Sequence, residues 1–308
     1  MTRVEGITAL RAKCQRTFEG YHEQPFVYRT IRRVSIYLTW LLLHTSLSAN
    51  GVTLLAMAAG VLAGVLFGAN LLLPGAIVLL LSMVLDFGDG EVARYRRQPS
   101  KEGEYLDLLL HFCVNPAVFA GLAIGAHQLR PSTWVLVAGA VCTIAVFLLV
   151  MVTYVKWFVL WTNWRRMSRQ LRAGETRDAV LPAPAAAAAP AASAPGLRDH
   201  VQRARRALGA LVTLWDFPYI FLVVAAGAVL QGLGLSLPVG ARTITPVELV
   251  LAFYAVTYPA LIGALLAYTL RARSVTRDFH AFVGDLRLLA GERPAPPLAP
   301  RTPDAHES

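Results

Sequence analysis

The stretch "LDFGDGEVARYRRQPSKEGEYLDLLLH", Leu85 to His111, sets three aspartates, an arginine cluster and a histidine between two strongly apolar segments. A charged side chain at mid-bilayer costs about 2.5–3.5 kcal/mol on insertion scales, so acids kept beside such segments are expected to face a cavity or a cation. Asp86 and Asp89 stand three residues apart near the end of one segment; Asp107 and His111 stand four apart near the start of the next. On helices each pair projects from one face, and antiparallel packing of the two segments would bring four ligand-type groups together. Clustered carboxylates repel unless neutralised, and oxygen-rich sites suit Mg²⁺ or Mn²⁺. Between the pairs, Gly90 and Gly103 allow a ligand close to the backbone. Arg94, Arg96, Arg97 and Lys101 offer donors to phosphate. A divalent-ion site with phosphate donors implies phosphoryl chemistry or nucleotide binding.

Outward from this stretch the chain is 56% hydrophobic and 16% charged, against a usual soluble share of about 25% charged residues. Apolar runs long enough for the roughly 20 residues of a spanning helix occur at 51–68, 72–93, 104–126, 133–157, 211–235 and 246–270. The expectation is an all-α integral membrane protein with six transmembrane helices. The third is the weakest by hydropathy, because Asp107 and His111 interrupt it. Residues 34–43, "VSIYLTWLLL", are too few to span and predict an N-terminal interfacial helix, with Ser48 or Asn50 capping the span that follows. A plain loop at 34–43 is the alternative.

Basic residues fall on one side of these spans. Arg3, Arg11, Lys13, Arg16, Arg29, Arg32 and Arg33 precede the first, and Arg94, Arg96, Arg97 and Lys101 join the second to the third, whereas the opposite connections hold only Arg130 and Arg242. Both termini and the quoted stretch are therefore expected on the cytoplasmic side. Topology and anionic lipid account for the net charge of +10 without nucleic acid as a partner. Cys14, Cys113 and Cys142 show no metal or redox spacing. The N-terminus does not read as a cleaved signal, so the first span is expected to serve for insertion. Arginine in excess of lysine, with abundant alanine, fits a high-GC bacterium and its cytoplasmic membrane.

The predicted organisation is an N-terminal segment, 1–47; four spans carrying the charged stretch, 48–161; a basic, Ala/Pro-rich connection, 162–210; two further spans, 211–270; and a cytoplasmic tail, 271–308. The tract "AVLPAPAAAAAPAASAPG" in the connection reads as a linker.

Read literally, the spacing is Asp86-x2-Asp89-Gly90-x2-Ala93-Arg94-x8-Gly103-x3-Asp107-x3-His111. It resembles the signature of the CDP-alcohol phosphatidyltransferase family at every position except the last, where the family has aspartate. "SANGVT" at 48–53 is similar to the family's P-N-x-x-T element, with Ala49 replacing proline. The resemblance implies a phosphotransferase of phospholipid biosynthesis. It would move a phosphatidyl or phosphoalcohol group from a CDP-linked donor to an acceptor hydroxyl and release CMP. It also implies that Asp86, Asp89 and Asp107 hold two ions, Mg²⁺ or Mn²⁺, that Gly90, Ala93 and Gly103 shape the nucleotide pocket, and that Arg94 supports the phosphates. A homodimer is implied in the same way.

His111 stands at the family's fourth aspartate. Neutral imidazole accepts a proton near neutrality, which makes His111 the expected general base. Metal ligation by His111, or a catalytically silent protein that binds CDP-lipid or nucleotide, are the alternatives. Glu91, Glu102 and Glu104 are expected as exposed loop charges. Asp216 is expected at the membrane interface or against the acceptor headgroup. His44 and His127 are expected to be interfacial, and Arg165, Arg166 and Arg169 to anchor the chain or receive an anionic acceptor.

Overall fold

A computed structural model describes residues 4–15, 26–98, 100–173, 217–240 and 242–271, with a few more between 274 and 283. Its helices are α1 (Ile7–Cys14), α2 (Phe26–Leu43), α3 (Ala49–Gly68), α4 (Leu72–Arg96), α5 (Lys101–Leu129), α6 (Thr133–Arg172), α7 (Tyr219–Gly232) and α8 (Pro246–Arg271). Before α8 an antiparallel hairpin pairs β1 (Leu237–Val239) with β2 (Arg242–Ile244), Leu237 opposite Ile244. Five helices, α3, α4, α5, α6 and α8, are long and apolar enough to cross a membrane. The predicted fifth span, 211–235, appears as the shorter α7 of 14 residues; positions 211–216 lie outside the described residues. The chain is thus an all-α integral membrane protein, with the six-span count approximate.

Where hydrocarbon replaces water, nothing hydrophobic drives helices together, and small residues that let backbones touch take over. The α3–α5 contact is of this kind. A Cβ on Gly64 would stand 2.5 Å from the carbonyl oxygen of Ala117, and one on Gly121 would stand 2.0 Å from the carbonyl oxygen of Gly64. α4 also meets α3, where Ser82 donates a 2.7 Å hydrogen bond to the Ala56 carbonyl. α4 packs also against α1, α2 and α7.

α2 starts earlier than the predicted interfacial helix because its pattern extends back to Phe26. Its buried positions include Arg32, Ser35 and Thr39, while Val34, Tyr37 and Leu41 are exposed. The inward face thus mixes polar side chains with Ile31, Ile36 and Leu42, and the exposed Val34, Tyr37 and Leu41 suit lipid on the other side.

The turn from α4 to α5 is short. Arg97 closes α4 in the left-handed conformation, φ 53°, and the Ser100 hydroxyl opens α5 by accepting from the Gly103 amide at 3.0 Å. Ser48 caps α3 in the same way, through the Gly51 amide at 3.1 Å. Arg96 donates to the carbonyls of Leu47 and Thr45 and so ties the end of α4 to the start of α3.

The chain forms two compact units. One comprises Met1–Leu149 and Leu208–Leu261; the other comprises Val150–Ala207 and Ile262–Ser308. The second contains the end of α6, with an ion pair between Lys156 and Asp278 at 2.5 Å and buried Met167 packed with Val283.

Forcing a side chain into the α3–α5 contact costs at least the roughly 1–3 kcal/mol of overpacking. Gly64→Leu is expected to lower the melting temperature in detergent and broaden the size-exclusion peak. Gly263→Leu, on α8 with open space around it, is expected to leave both unchanged.

Candidate active site

On α4, Asp86, Asp89, Gly90, Ala93 and Arg94 recur at helical spacing and share one face; on α5, Gly103, Asp107 and His111 do the same. The two faces line one cavity of about 440 Å³, walled also by Tyr28 and Arg32 of α2, Asn50 and Thr53 of α3, and Phe217 just before α7. All of these residues belong to the first unit.

One ligand atom each from Asp86, Asp107 and His111 lies within 4.8 Å of the other two. Asp86 is 9% exposed, and its Oδ1 is buried with no hydrogen-bond partner among the described residues. Asp107 is exposed and His111 half-buried. Two carboxylates this close repel each other, and an orphaned carboxylate oxygen in low dielectric is costly. A cation between them answers both costs, so these residues fit a divalent metal ion. Asp89 lines the same cavity outside this trio: its Oδ2 accepts a 2.6 Å hydrogen bond from the Thr53 hydroxyl. The structure thus groups His111 with two of the three expected ligands and turns the third toward α3.

The other expected site residues also reach the cavity. A Cβ on Gly90 would come within 3.1 Å of Arg94 Nη1, and one on Gly103 within 3.2 Å of Asn50 Oδ1, so both positions keep the wall thin. Ala93 completes the lining. Arg94 Nε donates to the Cys14 carbonyl at 2.6 Å, which hooks the end of α1 to the cavity. Burial raises the Cys14 thiol to about 11, so it stays protonated at neutral pH.

Several expectations are corrected. Arg96, Arg97 and Lys101 do not line the cavity. Arg96 ties backbone, Arg97 is exposed at the helix end, and Lys101 pairs with Glu104 at 2.7 Å. Glu91 is not an exposed loop charge but is fully buried on α4. It stands about 140° round the helix from Asp86 and faces α2 rather than the cavity. Glu102 and Glu104 are exposed as expected, with Glu104 at the cavity rim. Asp216 lies outside the described residues. Its neighbour Phe217 packs at a tilt, 4.8 Å from the His111 ring, and accepts, at its carbonyl, a hydrogen bond from the Tyr28 hydroxyl. Arg165, Arg166 and Arg169 are exposed, Arg165 over the Trp161 ring at 4.6 Å. His44 and His127 contact backbone, at Trp40 and Ser132.

Sequence reasoning missed Thr53, Arg32 and Phe217 as parts of the site, and Glu91 as a buried residue behind it. Thr53 was within reach, as the last residue of the "SANGVT" element. Arg32 was hidden among the arginines counted for topology, and Phe217 carried no signal.

Residues 46–215 match the family model described as CDP-alcohol phosphatidyltransferase. A curated relative from Rubrobacter xylanophilus, a bifunctional IPC transferase and DIPP synthase, is 38% identical over 141 residues, which cover 46% of this chain and 30% of the relative. The match thus spans less than a third of that relative's length. Among solved structures, the phosphatidylinositol phosphate synthase of Mycobacterium tuberculosis is similar in its apo form, with 18% identity and a TM-score of 0.48 over 76% of this chain and 94% of the other. Its form with CDP-DAG bound gives 19% and 0.46, over 76% and 92%. The family match covers more than half of the chain and contains both the α3 cap element and every motif position around the cavity, so the chain belongs to the CDP-alcohol phosphatidyltransferase family.

Proposed function

We propose that this protein is a membrane phosphotransferase of phospholipid biosynthesis, moving a phosphatidyl or phosphoalcohol group from a CDP-linked donor to an acceptor hydroxyl. The observation that carries the reading is the convergence of Asp86, Asp107 and His111 within 4.8 Å in a cavity that also holds Asp89 and two arginines. Spans at 48–161 and 211–270 build the site together with α2 of segment 1–47, and segments 162–210 and 271–308 are its appendages. The distribution of Lys and Arg supports a cytoplasmic opening in a bacterial inner membrane. CDP-diacylglycerol with a polar alcohol or polyol phosphate is the first donor and acceptor pair to try. A soluble CDP-alcohol acting on a lipid hydroxyl is the reverse arrangement, and a homodimer is the expected assembly.

Asp86, Asp89 and Asp107 would hold two divalent ions, Mg²⁺ or Mn²⁺, beside His111. When bound, such ions neutralise charge on the donor pyrophosphate and on departing CMP. Gly90, Ala93 and Gly103 leave room for the nucleotide against the helix backbones, and Arg94 backs the phosphates. A His111 ring nitrogen takes the proton of the acceptor hydroxyl. The acceptor oxygen then bonds to the donor's transferred phosphorus as the pyrophosphate P–O bond breaks, and CMP leaves with that electron pair. Thr53 keeps Asp89 oriented through its hydrogen bond.

The silent-site reading is motivated by histidine at the family's last position. It expects metal-dependent binding of CDP-lipid without release of CMP.

Three outcomes test this. Asp107→Asn or Asp89→Asn is expected to reduce CMP release by purified protein to background; retained turnover would sink the metal assignment. His111→Ala is expected to abolish acceptor-dependent CMP release, whereas His111→Asp, the family's residue, keeps it. Loss of a hydrogen bond to a charged group costs about 1.5–3 kcal/mol, so Thr53→Val is expected to slow turnover about tenfold or more, with Thr53→Ser close to wild type.

A further inference from the structure

Glu91 interrupts the motif between Gly90 and Ala93 and is fully buried on the side of α4 that faces α2. Its oxygens are filled by neutral donors: Oε1 accepts from Ser35 Oγ at 2.7 Å and from Gln15 Nε2 at 2.8 Å, and Oε2 from Thr39 Oγ1 at 2.7 Å. Arg32 Nη1 stands 3.8 Å from Oε1, an ion pair beyond hydrogen-bond reach. Gln15 Nε2 also donates to the Arg32 carbonyl at 2.7 Å, clamping its backbone. The guanidinium lies over the Phe87 ring at 5.3 Å, and its side chain, only 9% exposed, lines the cavity.

A buried ion pair of this kind is a poor source of stability, since apolar side chains of like volume commonly do as well. A fixed guanidinium is, however, a good receptor for phosphate oxygens, because little rotamer freedom is left to lose on binding. Phe87 packs 5.6 Å from Phe217, and Phe217 4.8 Å from His111, so the ring beneath Arg32 belongs to an aromatic wall that runs to His111. Arg94 approaches from the Gly90 side.

We propose that Arg32 is an anion-binding residue of the cavity, receiving phosphate oxygens of a substrate, and that buried Glu91 is its positioning residue. The inference rests on the cavity being a phosphate site, as in the proposed function. The phosphate is that of the CDP-linked donor or of a phosphate-bearing acceptor.

The test is titration of the full chain in detergent, at saturating Mg²⁺, with inorganic pyrophosphate and inorganic phosphate by calorimetry. Charge-assisted hydrogen bonds are strong enough that Arg32→Gln should weaken binding about tenfold or more. Arg32→Lys, which keeps the charge opposite Glu91 but not the planar fork, should weaken it a few-fold. Glu91→Gln, which keeps one of the two acceptor oxygens while removing the charge facing Arg32, should weaken it as well. Should Arg32→Gln fail to fold, Arg32→Lys carries the test. Unchanged binding of both anions in an Arg32 variant that melts like wild type overturns the role of Arg32, and unchanged binding in Glu91→Gln overturns that of Glu91. In turnover, a KM raised for the donor assigns the phosphate to the donor. A KM raised for a phosphorylated acceptor but not for its unphosphorylated analogue assigns it to the acceptor. Wild-type protein that binds pyrophosphate and never releases CMP defeats the transferase reading and leaves the Arg32 test standing.

Discussion

The backbone contact between α3 and α5 is what the rest of the site depends on. Because Gly64 and Gly121 have no side chains, α5 lies directly against α3, and helix directions set at that crossing carry through to the helix ends near the charged stretch. Asn50 and Thr53 of α3 thereby meet Gly103 of α5 and Asp89 of α4. In hydrocarbon such steric fit substitutes for the hydrophobic drive that would order a soluble core.

Within this frame the acids divide by surroundings. Asp86 is buried with an orphaned oxygen, Asp107 is exposed, and Asp89 is hydrogen-bonded to a neighbouring helix. Three similar side chains therefore present three different electrostatic problems, and only the first two, with His111, are close enough to share one ion. Glu91, a fourth acid in the same stretch, is resolved by protein donors alone. The contrast explains how one short segment can carry both a metal-type site and a structural carboxylate.

Much of this was legible in the sequence. Helix periodicity placed Asp86 with Asp89 and Asp107 with His111 on single faces, and five of the six apolar runs appear as long helices, four close to their expected bounds and the fourth, expected at 133–157, running on to Arg172 into the predicted connection. What escaped depended on contacts between distant segments. Glu91 read as a loop charge because its partners Gln15, Ser35 and Thr39 are 76, 56 and 52 residues away. Arg96 read as a phosphate donor because nothing local shows that two carbonyls of the preceding connection claim it. α7 is shorter than its apolar run, since the described helix starts only after Pro218.

α2 links the cavity to the membrane around it. This helix contributes Tyr28 and Arg32 to the cavity wall and seals Glu91 from behind, yet its outward face carries Val34, Tyr37 and Leu41. Its buried Ser35 and Thr39 are held by protein, and its outward apolar side needs hydrocarbon. The surrounding amphiphile is therefore a structural component of the cavity, and its chain length and packing enter the geometry of a charged site that it never touches.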